Sequence, residues 1–559
     1  MEALKAGGKF SAAAPFVRAA ACALSGAVAV LGFAPFNWWL PTLVAFAALF
    51  FCIEKSAGVK EAFLDGWLWG LAFFTLGLSW THRSMAVFGG FGDVLAAAGV
   101  FLMAAVLALT AAVPCAAARF FKAPQGLRSL LYLPVCWVLS EIIRTDVFGF
   151  GWLTAGYAFL PTPLAGWAPA GGVFLTALAA LFAAGLVAAA TLGMKGVAVK
   201  TAGALLAGVA VAGGFGLEGI SWFTPGKTLD VRLVQPDLPI VMRVTASEQT
   251  SRLERVKAMS LASPLGGKLD LILWPESVYA ALLNRLKTEE ALLPARVARA
   301  QKTTVLFNAF EEPARGVYFN SLWAADEAGS EAPVYAKRHL VPFGEYVPFG
   351  FRWFVDAMGI PMADQRHGLV PEEALKASGI VYAPAVCYEN NFGGELRAFW
   401  QKREVPQLIV VTANLGWFGD WAAAQFTQIS AMRAREFATP LLQVVNNGSS
   451  AVIDFRGRLE RWAGPGAQSL DALVTVSRGS VTPYARFGDL PLAVLLTLIL
   501  AVIAFCHLRR ESAGKALSVR CFLRARRAGR ALNLDGVKFP IFRRRFSLIA
   551  AHGCVLRCN

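Results

Sequence analysis

Three residues in this chain have the types that covalent acyl chemistry needs, and each stands where a strand should end. Cys387 follows the apolar run Ile380-Val-Tyr-Ala-Pro-Ala-Val and precedes the polar Glu389 and Asn390. A thiol at a strand end is presented on a rigid support, as a nucleophile should be. Glu276 ends the run Leu269-Asp-Leu-Ile-Leu-Trp-Pro, and Lys337 follows Val334-Tyr-Ala. A carboxylate can take the thiol proton, while an ammonium can lower the thiol pKa and donate to an oxyanion. Together they suit transfer of an acyl group through a thioester. A packed core cysteine is the competing reading, because unpaired cysteines are commonly buried. His339 could pair with the thiol instead, but two residues beyond Lys337 in the same segment it has no independent claim.

The segments around these residues alternate between strand and helix. Strands are expected at 229–236, from 269 to Pro275-Glu276, at 303–308 and 318–324, from 379 to the polar residues Glu389 and Asn390, and at 408–414 and 441–447. Helical patterns fall at about 247–263, 287–301 and 422–437. Strands alternating with helices predict a layered α/β domain over residues 228–482. It holds one cysteine of the nine, so no disulfide forms within it, and no Cys-x-x-Cys pair suggests zinc.

The rest of the chain is far more apolar. The 559 residues are 56% hydrophobic and only 16% charged, a balance that implies membrane spans. Candidate spans are 15–34, 38–54, 62–82, 92–118, 127–144, 165–192, 197–217 and 485–507. This divides the chain into a membrane domain of about seven helices (1–227), the α/β domain, a last span (483–508) and a basic tail (509–559). That tail carries thirteen Lys/Arg against Glu511 and Asp535. Much of the net charge of +16 therefore lies beside a span, where it reads as a topology signal; no nucleic-acid motif accompanies it. Lys and Arg favour alternate loops, which puts both termini in the cytoplasm and the α/β domain outside it. In a two-membrane bacterium that side is the oxidising periplasm, where an unpaired cysteine needs a reason.

Two clusters in the membrane part are polar or aromatic. Glu141 and Arg144 stand at i, i+3 near a helix end, where they can pair. Trp152 lies in the Gly-rich loop Gly149-Phe-Gly-Trp-Leu-Thr-Ala-Gly-Tyr157, which suits either interfacial anchoring or contact with lipid.

The motifs Trp274-Pro-Glu276, Lys337-Arg-His-Leu-Val-Pro-Phe-Gly-Glu345-Tyr-Val-Pro348 and Val386-Cys-Tyr-Glu389 resemble the nitrilase superfamily. With Phe33-Ala-Pro-Phe-Asn37, Trp137/Glu141/Arg144, Trp152 to Tyr157 and Asn414-Leu-Gly-Trp-Phe-Gly-Asp420, residues 20–508 resemble its membrane-embedded branch, the apolipoprotein N-acyltransferase family. The resemblance implies an αββα sandwich with a Glu-Lys-Cys triad and no metal or cofactor. It implies that Cys387 takes the sn-1 acyl chain of a phospholipid, expected to be phosphatidylethanolamine. The chain then passes to the free amine of an S-diacylglyceryl cysteine in an apolipoprotein, by ping-pong kinetics. On this resemblance Glu276 is the general base, Lys337 the oxyanion donor and Glu345 its supporting carboxylate. Tyr388 and Glu389 shape the surroundings of the thiol, and Trp417, Trp152, Glu141 and Arg144 are supporting or substrate-side residues. It also implies a monomer in the bacterial inner membrane with a periplasmic catalytic domain. The chain departs from the family pattern at Gln425-Phe426, where Gln-His is usual, and the tail beyond about 510 matches nothing in it.

Overall fold

The protein combines a multi-pass helical membrane domain with an α/β domain of two facing sheets. The computed structural model describes residues 13–527, apart from 122, 124–125, 194–196, 242–243, 265 and 358–363, together with 532–534 and 537–539. Of the loop cations that set the expected orientation, Lys5, Lys9, Lys122 and Lys195 lie outside the described residues, as does the basic stretch from Pro540 onward.

The strands are β1 (Pro225–Gln235), β2 (Leu271–Leu273), β3 (Thr304–Ala314), β4 (Val317–Ala325), β5 (Glu331–Ala336), β6 (Lys376–Ala377), β7 (Ile380–Val386), β8 (Leu408–Ala413), β9 (Leu441–Val445), β10 (Ala451–Ile453), β11 (Leu459–Trp462) and β12 (Gln468–Ser477). They form two six-stranded sheets, β12-β1-β2-β3-β4-β5 and β11-β10-β9-β8-β7-β6. Each has three parallel strands at its centre, β1-β2-β3 in one and β7-β8-β9 in the other. Alternation along the strands explains the layering. Leu271 and Leu273 face the second sheet and join its core, whereas Ile272 and Trp274 face the helices Ala246–Leu261 and Leu293–Gln301. Strand β7 is buried at every position, as a parallel strand covered on both faces must be.

Each of the eight stretches read as spans contains helix, and the lengths differ among them. Five helices are long and apolar enough to cross a membrane: Pro15–Gly32, Gly92–Phe120, Pro163–Thr191, Val199–Glu218 and Leu490–Arg509. Val59–Gly77 and Thr81–Phe88 make a sixth if taken together across a 64° bend. The second stretch is a 17-residue helix, Trp39–Lys55. At 1.5 Å per residue it is about 26 Å long, slightly short of the hydrocarbon core. The fifth is helical over 128–147, with π-helical turns at both ends and the charged Glu141 and Arg144 inside. The last helix runs on to Arg527, past the boundary expected at 508, and a short hairpin of 532–534 and 537–539 follows it.

The two domains share one continuous core. Their joint is the helix Asp420–Glu436, which packs on β9 and also on the membrane helix Ala168–Thr191. Its buried polar side chains reach into the membrane domain. Gln428 accepts from the Ala34 backbone N–H at 3.2 Å and donates to the Tyr157 carbonyl at 3.1 Å and to Asn37 Oδ1 at 3.1 Å. Trp421 donates to the Ala34 carbonyl at 3.1 Å. Close approach elsewhere is bought with glycine: a Cβ on Gly156 would lie 2.0 Å from the Val173 carbonyl oxygen. Gln428→Leu leaves the Ala34 N–H without its partner, which costs about 1–3 kcal/mol. The expected result is faster proteolysis of the 34–38 turn in detergent, with the α/β domain retaining its own protection; an unchanged cleavage rate at that turn would count against the joint.

Candidate active site

The three sequence-selected residues converge where the two sheets meet. Glu276 lies just after β2, Lys337 directly after β5 and Cys387 directly after β7, so one sheet supplies the carboxylate and ammonium and the other the thiol. All three are buried, at 6, 1 and 8% exposure. Cys387 holds a φ of +53°, in the left-handed region that a non-glycine residue rarely adopts. That conformation turns the chain sharply from β7 into the helical turn Cys387–Asn391 and aims the thiol out of the sheet.

The thiol sits in the field of the Glu276 carboxylate and of the Lys337 ammonium. Asn320, on β4, donates to Glu276 Oε1 at 2.8 Å, and the Asn414 backbone N–H donates to Oε2 at 3.1 Å. Asn308 Nδ2 in turn donates to Asn320 Oδ1 at 2.8 Å, which fixes the amide's orientation. Lys337 Nζ donates to Glu345 Oε1 at 2.8 Å. Glu345 is itself held by the Val341 N–H at 2.8 Å. Burial pushes the Glu276 carboxyl above its ordinary value, against the pull of the Lys337 ammonium. Burial and the Glu276 charge push the Cys387 thiol up. Burial alone would lower Lys337, but the Glu345 and Glu276 charges outweigh it and hold the ammonium protonated. The resting arrangement is a neutral thiol, a carboxylate positioned to take its proton, and a fixed positive charge beside the sulfur.

Glu389 is structural in its contacts. Its Oε1 accepts from the Tyr335 hydroxyl at 2.6 Å, the Arg338 N–H at 2.6 Å and the His339 N–H at 3.2 Å, while Oε2 accepts from the Val386 N–H at 2.7 Å. One carboxylate thus ties the Lys337 segment to the end of β7. His339 does not pair with Cys387; its ring contacts Glu395 Oε1 at 2.7 Å and stacks on Phe392 at 3.7 Å.

The membrane domain forms one side of this centre. The Tyr388 hydroxyl donates to the Gly149 carbonyl at 2.7 Å, and Gly151 lies against the Asn391 carbonyl. Glu141 accepts from the Ala155 N–H at 2.9 Å and from Trp137 Nε1 at 3.1 Å, and lies 4.0 Å from the Arg144 guanidinium. Arg144 also donates to Trp152's carbonyl. The pair therefore braces the 148–157 loop and does not face the thiol. Residues 151–157 of that loop are buried, with Trp152 and Tyr157 at 4 and 2% exposure, so these two rings do not anchor in the lipid interface. Trp152 Nε1 donates to Gln425 Oε1 at 2.6 Å, as Trp80 Nε1 does at 3.1 Å. Trp417, half-buried in the turn after β8, packs on Phe88 at 4.7 Å, and its carbonyl accepts from Ser84 at 2.8 Å. Asn320, Asn308 and Trp80 carried no chemical signal in the sequence beyond a pair of asparagines inside otherwise apolar strands. Among the described residues, no group of His, Cys, Asp and Glu side chains is placed to hold a metal.

Residues 25–186 match the model of the apolipoprotein N-acyltransferase N-terminal domain, and 230–486 match the carbon-nitrogen hydrolase model. An apolipoprotein N-acyltransferase of Bordetella bronchiseptica is 35% identical over 86% of this chain and 95% of its own length. One from Ralstonia nicotianae is 35% identical over 88% of this chain and 94% of its own. Among solved structures, a CN-hydrolase superfamily protein of Xanthomonas campestris aligns with 48% of this chain and 97% of its own, at 19% identity and a TM-score of 0.35.

Because the Glu276 carboxyl is raised, thiol activation should fail at a pH above the ordinary carboxylate value as acid protonates it. Alkylation of Cys387 by iodoacetamide, followed by intact mass, should fall with pH along a limb whose midpoint exceeds 4.5. Glu276→Gln should remove that limb and slow alkylation at neutral pH at least about 100-fold. A midpoint at or below the ordinary value, or wild-type rates in Glu276→Gln, would separate Glu276 from the thiol's proton.

Proposed function

The chain belongs to the apolipoprotein N-acyltransferase family, and from that membership we propose how its own residues carry out the reaction. It is a bacterial membrane acyltransferase of lipoprotein maturation, acting on lipoprotein and phospholipid substrates. The observation that carries the proposed mechanism is the buried convergence of Cys387, Glu276 and Lys337 at strand ends from the two sheets.

Glu276 takes the Cys387 proton as the sulfur attacks the sn-1 ester carbonyl of a phospholipid. The Lys337 ammonium stabilises the oxyanion of the tetrahedral intermediate. Its collapse breaks the C–O bond, and Glu276 returns the proton to the departing glycerol oxygen. The products of this half are an acyl-thioester on Cys387 and a lysophospholipid. The free α-amine of an S-diacylglyceryl cysteine then attacks the thioester carbonyl. Glu276 accepts the ammonium proton formed, an amide bond is made, and the thiolate leaves and is reprotonated. Glu345 keeps Lys337 placed between the half-reactions. Glu389 holds the backbone beside Lys337 and beside Cys387 in register, and Trp417 stands on the side from which the acyl chains approach.

The donor is phosphatidylethanolamine and the enzyme is a monomer of the inner membrane, with the α/β domain (228–482) in the periplasm and both termini in the cytoplasm. The alternating Lys and Arg loops support this orientation. The shared core of the two domains supports a catalytic domain seated on the bilayer, where both lipid substrates lie.

Incubation with phosphatidylethanolamine and no acceptor should add one fatty-acyl mass to the wild-type protein and none to Cys387→Ala. Hydroxylamine and a diacylated lipopeptide should each remove it. An adduct that water alone discharges would indicate a lipid hydrolase, and absence of any adduct with lipid bound would overturn the covalent route.

A further inference from the structure

A second recess lies where the membrane helix Val199–Glu218 gives way to the α/β domain. It is shallow and open on one side, with a free volume of about 30 Å³, and is lined by Leu217, Glu218, Ile220, Trp222, Arg435 and Arg456, among others. None of the residues of the Cys387 centre lines it.

Its charges are unbalanced. Arg435 and Arg456 line it against the single carboxylate of Glu218, and Arg458 and Asp454 act on Arg435 from nearby. Asp454 is occupied by its own turn, accepting from the Arg456 and Arg458 N–H groups at 2.8 Å each. Glu218 pairs with Arg435, whose remaining donors go to the Ala165 and Arg456 carbonyls at 2.8 and 3.1 Å. That leaves Arg456, whose contact with Glu218 is a loose 3.5 Å, with donors to spare. Its guanidinium stands over Phe455, which is stacked on Phe223 at 4.2 Å, so the side chain has a fixed platform. Burial, with a smaller push from the neighbouring Arg456 and Arg458, lowers Arg435 to about 10. The Trp222 indole N–H is buried and has no acceptor among the described residues. A buried donor without a partner carries an unmet cost that an acceptor from a ligand would remove.

The position of the recess selects the ligand. Glu218 ends an apolar helix of 20 residues, so the recess sits at the depth of a bilayer surface. Just below it the helix exposes Leu205, Val209 and Phe215, and Ile220 is exposed at the rim. An anionic group here would have apolar tails attached, running down that face.

We propose that this recess is a phospholipid-binding site, in which the phosphodiester accepts from the Trp222 indole N–H and the Arg456 guanidinium while the acyl chains lie along Leu205, Val209 and Phe215. The site holds a lipid that is not the one acylating Cys387, and it does not depend on the acyl-transfer mechanism. The lipid fills the joint between the last helix before the α/β domain and the turn between β10 and β11.

The test is photocrosslinking of the full-length protein in detergent, using phosphatidylglycerol with a diazirine near its head group, followed by peptide mapping. Label on the 219–224 or 454–458 peptides of the wild type is expected. Arg456→Glu should reduce that label at least about tenfold, a loss of 1.4 kcal/mol or more in binding. Trp222→Phe should reduce it as well, and provides the test if Arg456→Glu does not fold. Label near Cys387 should be unchanged in both, and inorganic phosphate should not compete. Wild-type protein labelled near Cys387 but not on these peptides, label indifferent to both substitutions, or label displaced by inorganic phosphate would each overturn the proposal.

Discussion

Everything around the active site follows from the need to keep one ammonium charged in a buried place. An unpaired buried ammonium costs several kcal/mol and would lose its proton. Lys337 avoids this because Glu345 lies at 2.8 Å and the Glu276 carboxylate contributes a second negative field. The carboxylates then need partners of their own. Asn320 supplies one, donating to Glu276 at 2.8 Å and reaching Glu345 at 3.4 Å, and the Val341 and Asn414 N–H groups supply others. The network closes on itself, so each member's position fixes the rest. A thiol placed inside it meets a base already aligned and a positive charge already in place, and the reaction need not reorganise either.

The same economy of buried polar groups governs the joint between the domains. The helix Asp420–Glu436 carries Gln425, Gln428, Arg433, Arg435 and Glu436, a composition that suits a solvated surface. All five are buried. Each finds a partner across the joint: Gln425 takes two tryptophan N–H groups, Gln428 a backbone N–H, and Glu436 the Val173 N–H at 2.8 Å. Arg433 reaches the Tyr157 hydroxyl at 3.2 Å and Glu436 at 3.0 Å. Directional bonds of this kind set a unique docking angle, which contact between apolar faces alone would leave free. The substitution of Phe426 where the family usually has His leaves this pattern untouched, since Phe426 packs in the core while Gln425 makes the bonds.

This explains which parts of the molecule could be read from the chain. Strand ends at Glu276, Lys337 and Cys387 were legible because apolar runs stop abruptly there and a reactive type follows. The layered α/β domain was legible from apolar strands such as 408–414 alternating with helical patterns, whereas the parallel pairing at the centre of each sheet was not. Asn320 was not, because an asparagine within Tyr318-Phe-Asn-Ser looks the same whether it faces solvent or a buried carboxylate. Glu141 and Arg144 were legible as a pair, but their role was not: whether such a pair faces substrate or braces a loop depends on where Ala155 folds back. The π-helical ends of 128–147 escape hydropathy altogether, since composition records apolar content and not hydrogen-bond register.

The contact between Tyr388 and Gly149 bears on why so large a membrane domain accompanies the catalytic one. An anchor requires one span. Here the residue after the nucleophile is held at 2.7 Å by a loop from the membrane domain, and that loop is braced from below by Glu141 and Arg144. Cys387 sits at a φ of +53°, a strained conformation that persists only where the surroundings over-determine it. Glu389 supplies part of that constraint from within the α/β domain, and Gly149 supplies another part from outside it. The nucleophile's geometry is therefore a property of both domains together, and the catalytic turn is complete only against the membrane domain.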